Sequence, residues 1–477
     1  MKILLIIPSQ YNVYGKNTPA LYPPMGILSL ASVLRGAGHD IQVIDMDVDM
    51  MGAEELNQVI NSFSPKFVGI TSTTPTFDAA LEICSTIKES HPDLFILMGG
   101  IHATVDPEKT LEHKCIDAIC IGEGEHTVAE LVKALETGKD LKHIPGLGLR
   151  VDNEFLFTKA RDLESDLSSF PFPAFDLIDL SKYTPPYAHQ LPVAPIMSSR
   201  GCPGRCTYCC SKQIFGRRFR ARTVENIVAE IEELVSKYKV KEIHFLDDNL
   251  TTSKKRLLKL CSMLKEKNFD VNYQIPTGIR ADTTTPEVLD ALKSINLLNI
   301  GFGVESGNQT VLNNIKKDVT KDRVREAMKL TKEYDFETFA FFIIGLPGDT
   351  PETIKETIDF AIELDPDFAK FVILKPYPGS EIHTQLSQAG LMDSYDYKNY
   401  GVYTHPVHHL PDLSADEIVK WQGRAFRRFY LRPSKIIQHL RRMSTLTTFL
   451  MVFKWSRWVL SQLLPERVKH PASTSKK

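Results

Sequence analysis

The chain is expected to be an α/β protein: an N-terminal doubly wound parallel sheet, then a partial (β/α)6 barrel, then a helical C-terminal tail. Three observations predict this. Over the first 136 residues short apolar runs alternate with amphipathic helical segments; from about residue 194 the alternation resumes on a larger scale; between the two, prolines accumulate. Of 477 residues 43% are hydrophobic, enough for packed cores and too many for a disordered chain. Lys and Arg number 57 against 59 Asp and Glu, a net charge of −2 that argues against a general nucleic-acid binder.

The apolar runs of the first part are 3–7, 41–44, 67–70, 94–98 and 118–121, with helical segments at 26–37, 53–63, 77–90 and 126–135. Strands that are apolar throughout are covered on both faces, so this sheet is parallel and its ligands bind beyond the carboxyl ends of the strands. The opening run is shorter than a signal-peptide core and ends at Pro8, which makes it a first buried strand. The loops after the third, fourth and fifth runs read Thr71-Ser72-Thr73-Thr74, Gly99-Gly100-Ile101-His102 and Gly122-Glu123-Gly124-Glu125. Small residues on three neighbouring loops let a large ligand lie close to the backbone. A bland domain of this class, binding a phosphate or nothing, is the competing reading.

Domain boundaries are placed at 1–140, 141–193, 194–410 and 411–477. The second segment, with Pro171, Pro173, Pro185, Pro186 and Pro192, suits a stiff crossing, with a short hairpin at 149–158. In the third, strands are expected at 195–198, 242–246, 271–274, 299–304, 338–344 and 371–374, with helices between them. In such architectures reactive groups gather at the carboxyl ends of the strands. Asp247-Asp248-Asn249, Arg280, Glu305-Ser306 and Gly345-Leu346-Pro347-Gly348 fall there. Asp247, Asp248 and Arg280 also have an ordinary reading as solvated charges or ion-pair partners.

After the first barrel strand comes Cys202-Pro203-Gly204-Arg205-Cys206-Thr207-Tyr208-Cys209. Three thiols on a loop with a glycine and a proline can face one metal centre and leave a coordination position open for chemistry. A zinc knuckle completed by a histidine is the alternative, although the next histidine is His244. The eight cysteines lack the even spacing of a disulfide framework, and Cys210 reads as a packed thiol.

The loop resembles that of the radical S-adenosylmethionine (radical SAM) enzymes. The resemblance implies that Cys202, Cys206 and Cys209 hold a 4Fe-4S cluster whose fourth iron is chelated by S-adenosyl-L-methionine. By the same likeness Tyr208 lies near the adenine, Glu305 and Ser306 help hold S-adenosylmethionine, Ile343 and Ile344 pack near its adenine and Arg280 sits by its carboxylate. The first part, through Pro23-Pro24-Met25-Gly26 and the three loops, is similar to the flavodoxin-like cobalamin-binding domain fused to such enzymes. This implies that Gly99 and Gly100 meet the nucleotide tail and that Ser72, Thr73 and Thr74 form the serine-containing loop. His102, Gly122 and Glu123 join the cofactor-binding set, His102 at the cofactor periphery or as a cobalt ligand. The loop after the first strand, Pro8-Ser9-Gln10-Tyr11-Asn12-Val13, lacks the Asp-x-His-x-x-Gly motif that supplies cobalt with histidine in many cobalamin domains.

Together these features imply radical carbon chemistry. A 5′-deoxyadenosyl radical takes hydrogen from an unactivated carbon, which then receives a methyl group from methylcobalamin; the product would be a methylated lipid, tetrapyrrole or other small molecule. A radical cyclase or oxidoreductase without methyl transfer is the rival enzyme, and a cobalamin or redox sensor the rival of another class. Expected partners are the substrate and an electron donor such as flavodoxin or ferredoxin, in a cytoplasmic setting. Beyond residue 412 Ser414 is placed as a helix cap; from Arg424 the sequence is basic and aromatic, which fits either peripheral membrane contact or helices packed on the barrel.

Overall fold

The computed structural model describes residues 1–14, 20–185, 188–402 and 404–441. Seven strands form the first sheet: β1 (Lys2–Ile7), β2 (Asp40–Asp45), β3 (Phe67–Thr71), β4 (Phe95–Gly99), β5 (Ala118–Cys120), β6 (Leu147–Val151) and β7 (Glu154–Phe157), in the order β2-β1-β3-β4-β5-β6-β7. The first five are parallel, and chain order reverses between β1 and β3, the kind of point where such sheets bind ligands. Alternation along the strands sends Ile3, Leu5, Phe67, Leu97 and Ala118 against helices Met25–Gly36 and Glu125–Thr137. Leu4, Ile6, Val68, Ile70 and Ile96 go to helices on the other face. The expected hairpin forms, but β6 pairs antiparallel with β5, so it belongs to the first sheet rather than to a free linker. Backbone groups on the open edge of β5 need partners, and the hairpin supplies them.

The second layer holds β8 (Val193–Ile196), the short antiparallel pair β9 (Ser199–Arg200) and β10 (Arg220–Ala221), then β11 (Glu242–Phe245), β12 (Asn272–Gln274), β13 (Asn299–Glu305), β14 (Glu337–Ile344) and β15 (Phe368–Ile373). Two parallel sheets, β8-β11-β12 and β13-β14-β15, are joined by the bridges Tyr273 to Leu297 and Ile279 to Phe302, which makes the six-stranded open barrel. Its outer face is apolar: Phe302, Ala340, Phe342, Ala369 and Phe371 pack under the surrounding helices.

Helix Ala415–Tyr430 is capped by Ser414, as expected, and closes on β15, with the Phe371 ring 5.4 Å from Phe426 and the Tyr430 hydroxyl donating to the Ala369 carbonyl at 2.7 Å. Several basic residues of this region are engaged by the barrel: Arg428 pairs with Asp359, Arg432 with Asp365, and Lys435 donates to the Pro366 carbonyl. Among the described residues no helix is long and apolar enough to cross a membrane. The aromatic run expected at 446–460 lies outside them, as does Pro186.

Candidate active site

The cysteine loop leaves the carboxyl end of the barrel through Gly201. There φ is +85° and a Cβ would stand 2.4 Å from the Arg218 carbonyl, so glycine is required. The loop is pinned on two sides, Thr207 N donating to the Ile315 carbonyl (3.0 Å) and Ile382 N to that of Thr207 (3.0 Å). Cys202, Cys206 and Cys209 are all half-buried, and Cys202 and Cys206 both face the backbone of Gly204. Among the described residues no three His, Cys, Asp or Glu side chains converge on one ion. Three thiolates on one loop can each take an iron of a polynuclear cluster and leave one iron open to a further ligand. Cys210 packs against the Pro378 carbonyl, and burial pushes its thiol up to about 12, as befits a core thiol.

The groups expected around S-adenosylmethionine separate on inspection. Tyr208 donates to Glu305 at 2.9 Å, and a second donor, Lys317, reaches the same oxygen at 2.7 Å. Glu305 is held at φ +65°, an uncommon conformation for a non-glycine residue. Gly303 leaves room for both side chains: a Cβ there would lie 2.5 Å from the carboxylate and 2.8 Å from Lys317 Nζ. Burial works against the charge on Lys317, but Glu305 and Cys206 outweigh it and raise its pKa. Arg280 borders Gly204 of the loop while gripping Asp282 with two nitrogens at 2.9 Å. Ser306 turns away, bonding Thr357 at 3.2 Å in the interior. Ile343 lies on the inner face with Phe341, whereas Ile344 lies on the helix-covered face, since neighbours on a strand point oppositely. Asp247 is buried on Ser198 and Ser199 and braces the approach to the loop; exposed Asp248 accepts from Ser211 at 2.6 Å.

Beyond the carboxyl ends of the first sheet lies a cavity of about 230 Å³, lined by Gly26, Gly69, Gly99, Gly100, Gly122, Glu123 and Gly124 among others and closed by Phe170, Met197, Arg200 and Phe215. A chain of glycines there presents bare backbone to a ligand, which fits the nucleotide tail of cobalamin. Gly100 has φ +93°, and its Cβ would stand 2.5 Å from the Ser72 carbonyl. Ser72 and Thr74 are buried and brace this turn, Ser72 N donating to the Gly99 carbonyl at 2.9 Å; Thr73 is exposed, and Thr71 is the member of the loop that lines the cavity. His102 is fully buried outside the cavity lining, between Phe77 (4.0 Å) and Tyr397 (4.5 Å), with Nδ1 near Thr74 and Nε2 unpartnered. Its place in the core favours packing over contact with cobalt.

Sequence reasoning missed the residues that join the two halves. Arg220 grips Glu123 with both terminal nitrogens (3.0 and 2.5 Å), and Arg200 reaches Glu125 at 2.5 Å and Glu123 at 3.4 Å; all four side chains are largely buried. Arg200 stands two residues before Cys202, and Glu123 one after Gly122, so a single charge network links the cavity to the cysteine loop. Lys317 was equally hidden, because Lys316-Lys317-Asp318 reads as a solvated turn. Left-handed backbone at Lys316 and Asp318 turns the residue between them inward.

Comparison with known proteins agrees with this layout. The Radical SAM superfamily profile matches residues 196–361, and the B12 binding domain profile matches residues 11–132. An uncharacterized methyltransferase of Pyrococcus horikoshii is 34% identical over 92% of this chain and 95% of its own. The anaerobic magnesium-protoporphyrin IX monomethyl ester cyclase of Rubrivivax gelatinosus is 28% identical over 91% of this chain and 78% of its own. The structure of the radical S-adenosylmethionine methyltransferase TsrM from Kitasatospora setae, with cobalamin and a [4Fe-4S] cluster bound, superimposes with a TM-score of 0.70 at 18% identity, covering 91% of this chain and 89% of that one.

Proposed function

This chain belongs to the radical SAM enzymes that carry a B12-binding domain, and we propose that it transfers a methyl group to an unactivated carbon of a small biosynthetic intermediate. The observation that carries the reading is the contact of the two sites: the glycine-lined cavity and the cysteine loop share one buried charge network. When bound, the cluster, S-adenosylmethionine and cobalamin together supply reductive cleavage, hydrogen abstraction and a transferable methyl group.

The chain's own residues hold and orient. Cys202, Cys206 and Cys209 bind the cluster as thiolates. Lys317 and Arg280 put positive charge where the carboxylate of S-adenosylmethionine would meet the cluster, and Glu305 with Tyr208 offers oxygen atoms to its polar groups. Gly99, Gly100 and Gly122 open the cavity to the cobalamin tail, and Phe170 and Phe215 close its far side. An electron donor such as flavodoxin or ferredoxin and a cytoplasmic setting complete the reading. Contact with a membrane surface would fall to helix Pro433–Arg441, where Ile436, Ile437 and Leu440 are 45–57% exposed.

Anaerobic protein reconstituted with iron, sulfide and hydroxocobalamin tests the proposal. Bound cobalamin, with S-adenosylhomocysteine and 5′-deoxyadenosine both formed on reduction with substrate, is the expected result. The second reading, ring closure without methyl transfer, is favoured by the likeness to the Rubrivivax gelatinosus cyclase; 5′-deoxyadenosine alone would select it. In the same assay Cys206→Ala should abolish both the cluster absorption and 5′-deoxyadenosine, and survival of either would reject the ligand assignment.

A further inference from the structure

The inner face of the barrel carries a cation that the site described above does not use. Register fixes which side chains share this face: Gly303 pairs with Phe341, and Phe341 with Lys370. Paired residues of parallel strands point the same way, and the stacked rings of Phe339 and Phe368, 4.9 Å apart, show it one rung earlier. Ala369 and Phe371, on either side of Lys370, pack outward under helix Ala415–Tyr430. Lys370 therefore projects into the barrel on the face that carries Gly303; after the register shift at Gly303 the paired partner of Glu305 is Phe342, so Glu305 stands one rung nearer the mouth, about 3.3 Å along the strand direction.

Among the described residues nothing neutralises it. Among the described residues Lys370 has no hydrogen bond or ion pair, and desolvation lowers its pKa with no opposing contribution. Lysines elsewhere that are shielded from solvent have partners: Lys317 in Glu305, Lys375 in the carbonyls of Asn399, Thr404 and His405, and Lys435 in those of Asp365 and Pro366. The carboxylates on this inner face are engaged elsewhere, Glu305 with Tyr208 and Lys317 and Glu337 with His189. Glu242 accepts from Gln274 Nε2 (2.6 Å) and from the backbone of His189 and Gln190, and pairs with His244 at 2.6 Å. A small void between Gln274, Asn299, Gly301, Phe339 and Phe341 lies on this same inner face.

We propose that Lys370 anchors an anionic group of the substrate, a carboxylate or phosphate-type oxyanion, inside the barrel below the cysteine loop. The inference rests on the reading of this chain as an enzyme acting on a small molecule, and it names the class. Lys370 is half-buried, and a charge-assisted bond to an anion entering the barrel would give its ammonium the partner that the fold does not. The anion points inward and Glu305 marks the mouth, so the reacting carbon lies toward the loop. A neutral polycyclic lipid would leave Lys370 uncompensated; an acid-bearing substrate would not.

The test uses full-length enzyme reconstituted with cluster and hydroxocobalamin, crystallised with and without S-adenosylmethionine and soaked in sodium iodide. The anomalous signal is expected to place an iodide against Lys370 Nζ in both forms. It should vanish in Lys370→Met and persist in Lys370→Arg, which keeps the charge. Absence of iodide at Lys370 in the unaltered enzyme overturns the proposal. Displacement of the iodide whenever S-adenosylmethionine binds overturns it too, because the lysine would then serve the carboxylate of that molecule. This readout needs no turnover, so it stands apart from the S-adenosylhomocysteine assay that decides methyl transfer. In turnover, Lys370→Met is expected to raise KM at least about tenfold with a smaller change in kcat; an unchanged KM would reject the anchor.

Discussion

Single residues in this protein are decided by what surrounds them more than by their type. His102 stands in a loop after a strand, where a cofactor contact is a fair expectation, yet it is closed between Phe77 and Tyr397 and burial lowers its pKa to about 4. In the unfolded chain a histidine takes its proton near pH 6.5. The stabilisation linked to the neutral ring is thus complete above about pH 6.5 and is lost as the pH falls toward 4. Over that interval the loss amounts to about 3 kcal/mol. His102→Phe, which keeps a ring in the slot, is expected to flatten this part of the pH profile; urea midpoints measured from pH 7 to pH 4 would show it. An unchanged slope would mean that the ring is charged in the folded state. Lys317 teaches the converse: a residue that looks solvated in the sequence is turned inward by the left-handed backbone on both sides of it.

Among elements, the turn after β4 separates two glycines that the sequence presents as one motif. A Cβ at Gly99 would make ordinary contact with Cys120 at 3.7 Å, whereas at Gly100 it would overlap the Ser72 carbonyl in a left-handed conformation. Gly99→Ala should therefore keep its thermal stability and weaken hydroxocobalamin binding only by the methyl group it adds to the cavity lining, and Gly100→Ala should lose most of the cobalamin along with thermal stability. Equal binding by the two variants would dissociate the turn from the cofactor. The tail divides in a similar way. Helix Ala415–Tyr430 is part of the barrel wall through Phe426, Phe429 and Tyr430, so removing it would expose β15. Ending the chain after Arg441 leaves that wall intact. If residues 442–477 share in holding the protein on a lipid surface, this truncation should reduce co-sedimentation with anionic liposomes without loss of iron; undiminished sedimentation would leave membrane contact to helix Pro433–Arg441 alone. The strands, the cap at Ser414 and the cysteine loop were legible because each is written in consecutive residues. The pairing of the 149–158 hairpin with β5 was not, since an edge strand carries no local mark of the neighbour it will find.

Over the whole molecule, both layers could be read from hydrophobic alternation, but their junction could not. It depends on pairs 75 and 97 residues apart, Arg200 with Glu125 and Arg220 with Glu123, in a sequence where each of these reads as a surface charge. Buried charges of this kind are weak evidence for stability as such, because desolvation offsets their attraction; removing one partner is what costs, by about 3–5 kcal/mol. Their position gives the network its consequence. Glu123 and Glu125 follow the cavity glycine Gly122, and Arg200 precedes the cysteine loop, so the network ties the backbone beside one site to the backbone beside the other. Arg200→Met is accordingly expected to lower both bound hydroxocobalamin and cluster iron in the same preparation. Glu125→Gln, which keeps an acceptor oxygen for Arg200, should be milder in both. The double variant Arg200→Met/Glu125→Gln relieves the uncompensated carboxylate, so its melting temperature should recover part of the loss while iron and cobalamin stay low. Iron and cobalamin that respond independently across the three variants would show that the network only fastens two layers together. A joint response with recovered stability would mean that it holds the two cofactor sites in register.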